Sequence, residues 1–240
     1  MSTYEVRLAG REEIAAGSMA FHFERPAGFS FKPGQAIDLI LMNPPSAEVA
    51  SGRHAFSLVS APFQSTLTIA TRLRDSAFKR ALHALPISSP ARLEGPFGSL
   101  TLHSNHARPA VFVAGGIGIT PFMSILRQAA RDQLPQRLIL LYSNRRPEDA
   151  AFLAELQELE RCNNAFRLVA TMTQMHKSNR PWRGRTGLID QDLVLSVCRE
   201  LAAPIYYIAG PPSMVASLRQ TLAQAGISDD DVRSEEFYGY

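Results

Sequence analysis

The chain has 240 residues, 45% hydrophobic and 20% charged, which predicts a soluble globular protein with one large domain or two ordinary ones. The net charge is +3, but the sequence has no stretch of basic residues interleaved with aromatic residues, so we expect no nucleic-acid partner. No apolar run approaches the roughly twenty residues that span a bilayer, so no membrane association is expected. Residues 1–10 show no signal peptide, and a reduced, cytoplasmic location follows as the expectation.

The first hundred residues show short alternating strands that are broken by turns. Strand patterns lead from Tyr4 to about Leu102, with turns predicted at residues 31–35 and 95–98. One helix interrupts them, with Ser76 as its candidate N-cap and an apolar face that begins at Phe78. Strands at this spacing with a single helix predict a small antiparallel barrel.

Beyond about residue 107, apolar strands alternate with helical patterns. Strands are predicted at residues 111–113, 138–142, 167–172 and 205–208, and helices at 147–160, 190–201 and 211–225. Repeated βα units favour an open parallel sheet with helices on both faces. We therefore predict a β + α/β chain: an antiparallel β-barrel domain over residues 1–103 and a parallel-sheet α/β domain over residues 107–240.

A glycine-rich turn at residues 114–121 lies between a buried strand and a helix. Backbone without side chains would let a phosphate approach the helix N-terminus. The alternative is a tight connection without a ligand, and Pro121 stands where the dinucleotide fingerprint G-x-G-x-x-G needs its third glycine. Residues 143–146 and 209–214 fall at equivalent strand ends, which favours nucleotide binding.

Five motifs, in order along the chain, resemble those of the ferredoxin–NADP reductase superfamily. They are Phe31-x-Pro33-Gly34-Gln35 with His54-Ala55-Phe56-Ser57, Gly95-Pro96-x-Gly98, Gly115-Gly116-x-Gly118-x-Thr120-Pro121, Gly210-Pro211-x-x-Met214, and the tail from Glu235 to Tyr240. The resemblance covers essentially the whole chain. It implies a barrel that binds flavin, usually FAD, a second domain that binds NADP or NAD, and a C-terminal tail on the flavin side.

The resemblance also implies roles for residues of the barrel. Phe56 would lie against the flavin or its ribityl chain, and Ser57 would act catalytically near flavin N5. His54 occupies the position of the family's flavin-phosphate arginine, while Arg53 lies one residue earlier, so either could make that contact. The other cofactor-binding candidates of this half are Ala55, Arg72 and Ser76.

In the second half, Thr120 resembles the residue near the nicotinamide, whereas Gly116 and Gly118 resemble those that line the pyrophosphate. Ala209 replaces a cysteine that many members have, so catalysis would depend more on Ser57 and on a terminal acid, Glu235 or Glu236. The remaining cofactor-binding candidates are Pro121, Gly210, Pro211, Met214, Phe237 and Tyr240. Arg145 and Arg146 suit a 2′-phosphate, which favours NADPH over NADH.

The function expected from the resemblance is transfer of a hydride from NAD(P)H to FAD and of electrons to an external acceptor. That acceptor would be a small acidic carrier such as ferredoxin or flavodoxin, or a partner oxygenase. The alternatives are reduction of free flavin, or a nucleotide-binding electron-transfer subunit or sensor without turnover. A basic cluster around Trp182 (Lys177, Arg180, Arg183 and Arg185) would either dock the carrier or cover the nicotinamide. His103 and His106 are interpreted as ordinary loop histidines, and no metal site is expected.

Overall fold

The computed structural model describes residues 2–42, 52–74 and 76–238. The strands of the first half are β1 (Ser2–Ala15), β2 (Ser18–Glu24), β3 (Ala36–Leu41), β4 (Arg53–Ser57), β5 (Thr66–Arg72) and β6 (Pro90–Phe97). Those of the second half are β7 (Ala110–Gly115), β8 (Leu138–Asn144), β9 (Phe166–Met172), β10 (Arg185–Thr186), β11 (Ile205–Gly210) and β12 (Val232–Glu236). The helices are α1 (Ala77–Ala84), α2 (Thr120–Arg131), α3 (Leu153–Cys162), α4 (Gln191–Cys198) and α5 (Pro212–Gln224).

The first six strands form one antiparallel sheet that curls into a barrel. Its order is β4-β3-β6-β1-β2-β5, and the two outer strands meet through a bridge between Leu58 and Ile69. Alternating side chains such as Phe21 and Phe23 point inward, where they pack with Phe78 of α1. This confirms the predicted antiparallel barrel interrupted by one helix.

The second sheet is parallel and has the order β10-β9-β8-β7-β11-β12. Its central strands β7 and β11 are buried along their whole length, as expected when both faces are covered. Gly226, at a φ of 78°, ends α5, and its N–H donates to the carbonyl of Ala223. The predicted α/β half is therefore confirmed. The chain passes from one sheet to the other between residues 97 and 110, where the boundary at 103–107 stays a prediction.

Two local predictions are wrong. Strand β6 continues through the predicted turn to Phe97, and residues 100–102 form no strand. The predicted helix at 147–160 is divided into a short 3-10 turn at Pro147–Asp149 and the later helix α3. Ala150 is extended, with a ψ of 93°, and Phe152 is left-handed, with a φ of 59°, so a right-handed helix cannot continue through these residues.

The barrel and the parallel sheet pack against each other through α2. Barrel residues Ala20, Val59, Ala70 and Leu100 belong to the same buried apolar cluster as that helix. The hydroxyl of Ser124 on α2 donates to the carbonyl of Ser60 at 2.7 Å. These contacts fix how the carboxyl edge of the second sheet faces the barrel.

The segment between the sheets is held by a buried histidine. His103 is 8% exposed, and its Nδ1 lies 2.7 Å from the hydroxyl of Tyr207 on β11. Its Nε2 lies 3.0 Å from the carbonyl oxygen of Arg108. His103 is therefore a structural group of the connection and differs from the ordinary loop histidine that the sequence suggested. Among the described residues, no helix has the length and apolarity needed to cross a membrane.

Candidate active site

A first cleft of about 260 Å³ opens where the barrel faces the carboxyl edge of the second sheet. Strands β4 and β5, helix α1, the turn after β7 and the end of β12 all contribute to its walls. Predicted site residues that the structure brings together here are His54, Ala55, Phe56, Ser57, Arg72, Thr120, Glu235, Glu236 and Phe237. Residues that the sequence analysis missed include Lys79, Ile117 and Tyr238.

Ser57 provides a hydrogen-bonding group that the folded chain leaves unused. The residue is 6% exposed, and its Oγ has no hydrogen-bond partner among the described residues. A buried hydroxyl without a partner costs free energy, so such groups often mark a place where a ligand binds. Phe56 beside it is buried and flat, and together they fit a planar heteroaromatic ring such as flavin.

Two cations line the same cleft. Arg72 is half-buried at the end of β5, and Lys79 on α1 is only 7% exposed. Burial is the main cause that lowers the pKa of both side chains, and repulsion by Arg74 adds to it. In the sequence, the only feature that could have pointed to Lys79 is its position directly after Phe78, which belongs to the apolar face of the predicted helix.

The two candidates for the flavin-phosphate contact differ in their surroundings. Arg53 forms ion pairs with Asp38 and with Glu94, the latter at 2.9 Å, and the lining residues of the first cleft do not include it. His54 lines the cleft, where its ring stacks on Phe56 at 4.6 Å and lies 5.4 Å from Phe78. The structure therefore places Arg53 in a surface ion-pair cluster outside the first cleft, and its cofactor role stays a prediction.

The acidic end of strand β12 lies in the wall of the first cleft. The N–H of Phe237 donates to Gly210 O at 2.9 Å and holds the end of β12 against β11. Burial raises the pKa of Glu235 above the usual range of a glutamic acid. Glu236 is exposed and accepts a hydrogen bond from Tyr238. Tyr240, predicted to cover the flavin, lies outside the described residues.

A second cleft of about 580 Å³ lies beyond the ends of β7, β8 and β11. Predicted residues in its wall are Gly116, Arg145, Pro211 and Met214, together with Arg72, which lines both clefts. Residues missed from the sequence include Arg74 and Thr173, whereas Ser143 and Ser213 belong to the strand ends at 143–146 and 209–214 that were expected to bind a nucleotide. Gly116 has a φ of 53°, a conformation that favours glycine. Backbone and small hydroxyl side chains around an arginine fit a phosphate-bearing nucleotide.

Gly118, predicted to line the pyrophosphate, and Gly210, a predicted cofactor-binding residue, both have packing roles in the structure. A Cβ on Gly118 would lie 2.3 Å from the carbonyl oxygen of Ala209, so a side chain would collide with β11. Gly210 has a φ of 157°, and its Cβ would lie 2.6 Å from Cε of Met214. Both glycines let the turn after β7 approach the end of β11 closely.

Three further residues that were predicted to contact a cofactor have different surroundings in the structure. Arg146 forms a two-bond ion pair with Asp149, at 2.8 Å for each bond, in the turn after β8. Ser76 precedes α1, but its side chain makes no cap hydrogen bond within the described part of the chain. Pro121 is buried in the first turn of α2. We find none of the three among the described residues that line the clefts.

The basic cluster around Trp182 lies away from the first cleft. Strand β10, which carries Arg185, and strand β12, which carries Glu235, occupy opposite edges of the second sheet. Thr173 and Leu188, on either side of the loop, line the second cleft. This placement favours a loop that covers the nucleotide over a loop that docks a carrier beside the flavin. In the described residues, no group of three His, Cys, Asp or Glu side chains is placed to hold a metal ion.

The structure thus has two adjoining clefts between a barrel and a parallel sheet, one suited to a flat ring and one to a phosphate, as expected for a flavin site beside a nucleotide site. Residues 112–220 match the family described as "Oxidoreductase NAD-binding domain". The chain is 31% identical over 245 residues to ferredoxin–NADP reductase B of Sorangium cellulosum, which covers 98% of this chain and 97% of that protein. It therefore belongs to the ferredoxin reductase-type family of FAD- and NAD(P)-binding oxidoreductases, as an FAD-dependent NAD(P)H reductase.

Other similarities agree with this family. The chain is 28% identical to the reductase component of propane 2-monooxygenase from Rhodococcus jostii, covering 88% of this chain and 57% of that protein. A ferredoxin NADP+ reductase from Neisseria gonorrhoeae, solved with bound FAD and NADP, superposes with a TM-score of 0.81 at 24% identity and 98% coverage of both chains. The predicted family and fold are confirmed by these findings.

Proposed function

We propose that this protein transfers a hydride from NADPH to FAD and passes electrons from the flavin to a separate carrier protein. The observation that carries the proposal is that the two clefts adjoin, because Arg72 lines both of them. The first cleft also contains the Ser57 hydroxyl, which has no hydrogen-bond partner among the described residues. Bound flavin would supply the capacity to accept a hydride and to release electrons singly or in pairs.

The residues of the chain would hold and orient the two ligands. Ser57 would donate a hydrogen bond to the flavin ring, and Phe56 would pack on it. Thr120, buried at the start of α2, would position the nicotinamide against the flavin. Glu235 would hold a proton close to the ring, since burial favours its neutral form.

The carrier we favour is ferredoxin or flavodoxin, because a relative that matches this chain over 98% of its length, and over 97% of its own, is a ferredoxin–NADP reductase. A partner oxygenase is the second candidate, since several relatives are oxygenase reductase components. This chain spans 57% and 60% of the length of those two proteins. Steady-state rates with ferredoxin, flavodoxin and free FMN, measured on one preparation, would rank the acceptors.

The substitution Ser57→Ala should slow flavin reduction by about tenfold, because the loss of one hydrogen bond raises the barrier by about 1 kcal/mol. The apoprotein should be as stable as wild type or more stable, because the removed hydroxyl has no partner among the described residues. Stopped-flow reduction by NADPH and urea unfolding of the apoprotein would measure the two effects. An unchanged reduction rate would contradict the role of Ser57, and a purified wild type that binds no FAD would contradict the proposed function.

The preference for NADPH is proposed to rest on Arg145, since Arg146 is committed to Asp149. We expect Arg145→Gln to raise KM for NADPH by about tenfold while KM for NADH stays the same, because only NADPH carries the 2′-phosphate. Arg146→Gln should lower stability and leave the ratio of the two coenzymes unchanged. Equal kcat/KM for both coenzymes in the wild type would refute the preference.

A further inference from the structure

We propose that Glu148 is a positioning residue for the nicotinamide coenzyme, because its carboxylate holds the Trp182 loop, residues 174–184, against the turn after β8. The inference rests on the proposed function and concerns one wall of the second cleft. That wall would keep a single shape before a nucleotide arrives.

The contact is a hydrogen bond between a hydroxyl and a carboxylate. Ser178 of the Trp182 loop donates from Oγ to Oε2 of Glu148 at 2.7 Å. The side chain of Glu148 is only 16% exposed, and its Oε1 lies 3.5 Å from a guanidinium nitrogen of Arg146. Hydrogen bonds to an ionised group are stronger than those between neutral groups. In the part of the chain that the structure describes, no other side-chain hydrogen bond joins the loop to the turns after β7, β8 and β11.

The Glu148 side of this contact is firmly held. The carbonyl oxygen of Glu148 accepts a hydrogen bond at 2.8 Å from the N–H of Ala16, in the turn between β1 and β2. Arg146 and Asp149, on either side of Glu148, pair with each other through two hydrogen bonds. Glu148 therefore extends from a turn that is attached to the barrel, and it gives the Trp182 loop a fixed point of attachment.

On the other side, Ser178 also organises the loop itself. Its Oγ accepts a hydrogen bond from the N–H of Arg180 at 3.0 Å, so the contact with Glu148 reaches the backbone of the loop. Further along, Trp182 donates from Nε1 to the carbonyl of Arg185 at 2.8 Å and packs against the core of the second sheet. The loop is thus held by Ser178 near its middle and by Trp182 near its end.

The Trp182 loop borders the second cleft. Thr173, directly before it, and Leu188, shortly after it, line that cleft together with Arg145. The N–H of Gln174 donates to the carbonyl of Arg145 at 2.8 Å, which joins the loop to this candidate coenzyme contact. A nucleotide that meets an ordered wall spends no free energy on ordering it, so its affinity is higher. Release of the loop should therefore weaken coenzyme binding and leave hydride transfer unchanged.

The test removes each partner of the hydrogen bond. Steady-state kinetics with NADPH or NADH and ferricyanide would be measured for wild type, Glu148→Ala, Glu148→Gln, Ser178→Ala and the double alanine variant. Glutamine keeps an acceptor oxygen for Ser178. Ser196→Ala is the matched control, because the Ser196 hydroxyl donates to Leu193 O within α4. Acrylamide quenching of Trp182, the single tryptophan, reports on the loop in the apoprotein without any coenzyme.

We expect Glu148→Ala and Ser178→Ala to raise KM for both coenzymes by about threefold to tenfold, with kcat within about twofold of wild type. The double variant should be no worse than either single variant, since all three lack the same hydrogen bond. Glu148→Gln and Ser196→Ala should stay within about twofold of wild type. Trp182 should be quenched more readily only in the alanine variants of Glu148 and Ser178.

Three results would overturn the proposal: an unchanged KM in both single alanine variants, additive losses in the double variant, or a raised KM with unchanged quenching of Trp182. A wild type that binds no FAD would instead overturn the proposed function. The quenching of Trp182 would still test the contact between Glu148 and Ser178 in that case, because it needs neither flavin nor coenzyme.

Discussion

Glu235 is a carboxyl group whose surroundings favour its neutral form. It lies near the end of β12 in the wall of the first cleft, and burial raises its pKa. An ordinary glutamic acid ionises near pH 4.3 in an unfolded chain. Between that value and the raised folded pKa, the folded protein binds more protons than the unfolded chain, so stability falls as pH rises.

Glu235→Gln should therefore remove the loss of folding stability that the ionised Glu235 causes at higher pH. Near pH 4 the variant and the wild type should be about equally stable, and the variant should become the more stable of the two as pH rises through the folded pKa. Urea unfolding of the apoproteins at several pH values measures the difference. Glu236→Gln, at the neighbouring exposed position, should follow the wild-type profile. A constant difference between Glu235→Gln and wild type across the range would mean that burial does not perturb this carboxyl.

At the scale of elements, the turn after β7 depends on a glycine contact that is distant in sequence. Gly118→Ala would place a Cβ 2.3 Å from the carbonyl oxygen of Ala209. We expect it to lower the free energy of unfolding by about 1–3 kcal/mol and to weaken flavin binding, because the turn carries Ile117 into the first cleft. Urea unfolding and flavin titration test this. Gly10→Ala is the control, since its Cβ would meet only ordinary contact with His22.

The sequence predicted the elements that a local pattern of apolar residues marks, and it missed the features that depend on tertiary contacts. The apolar runs behind β7, β8 and β11 and the face of α1 were sufficient to place those elements. The left-handed backbone at Phe152 and the continuation of β6 to Phe97 left no comparable pattern. Motif order led to Ser57, but Lys79 required the fold, because only packing shows which side of α1 faces the cleft.

At the scale of the whole molecule, the active site lies at a junction and needs both sheets in fixed relation. Arg127 of α2 connects them: it donates to the carbonyl of Val59 at 3.0 Å and forms a two-bond ion pair with Glu155. The apolar cluster that includes Val59 and Leu100 continues across the junction. Separating the sheets would expose this cluster and leave barrel carbonyls without those donors, so we expect the two halves to unfold together.

The single tryptophan of the chain allows this cooperativity to be measured. Trp182 packs at the edge of the second sheet's core, so its fluorescence reports on that half, whereas far-UV circular dichroism reports on both. We expect the two signals to give the same urea midpoint in the apoprotein. Arg127→Met should lower both midpoints together, by about 1–3 kcal/mol of stability, since it removes a hydrogen bond across the junction and the ion pair to Glu155 that orients Arg127. Two separate transitions in the wild type would show that the halves are independent units joined only by the segment at His103.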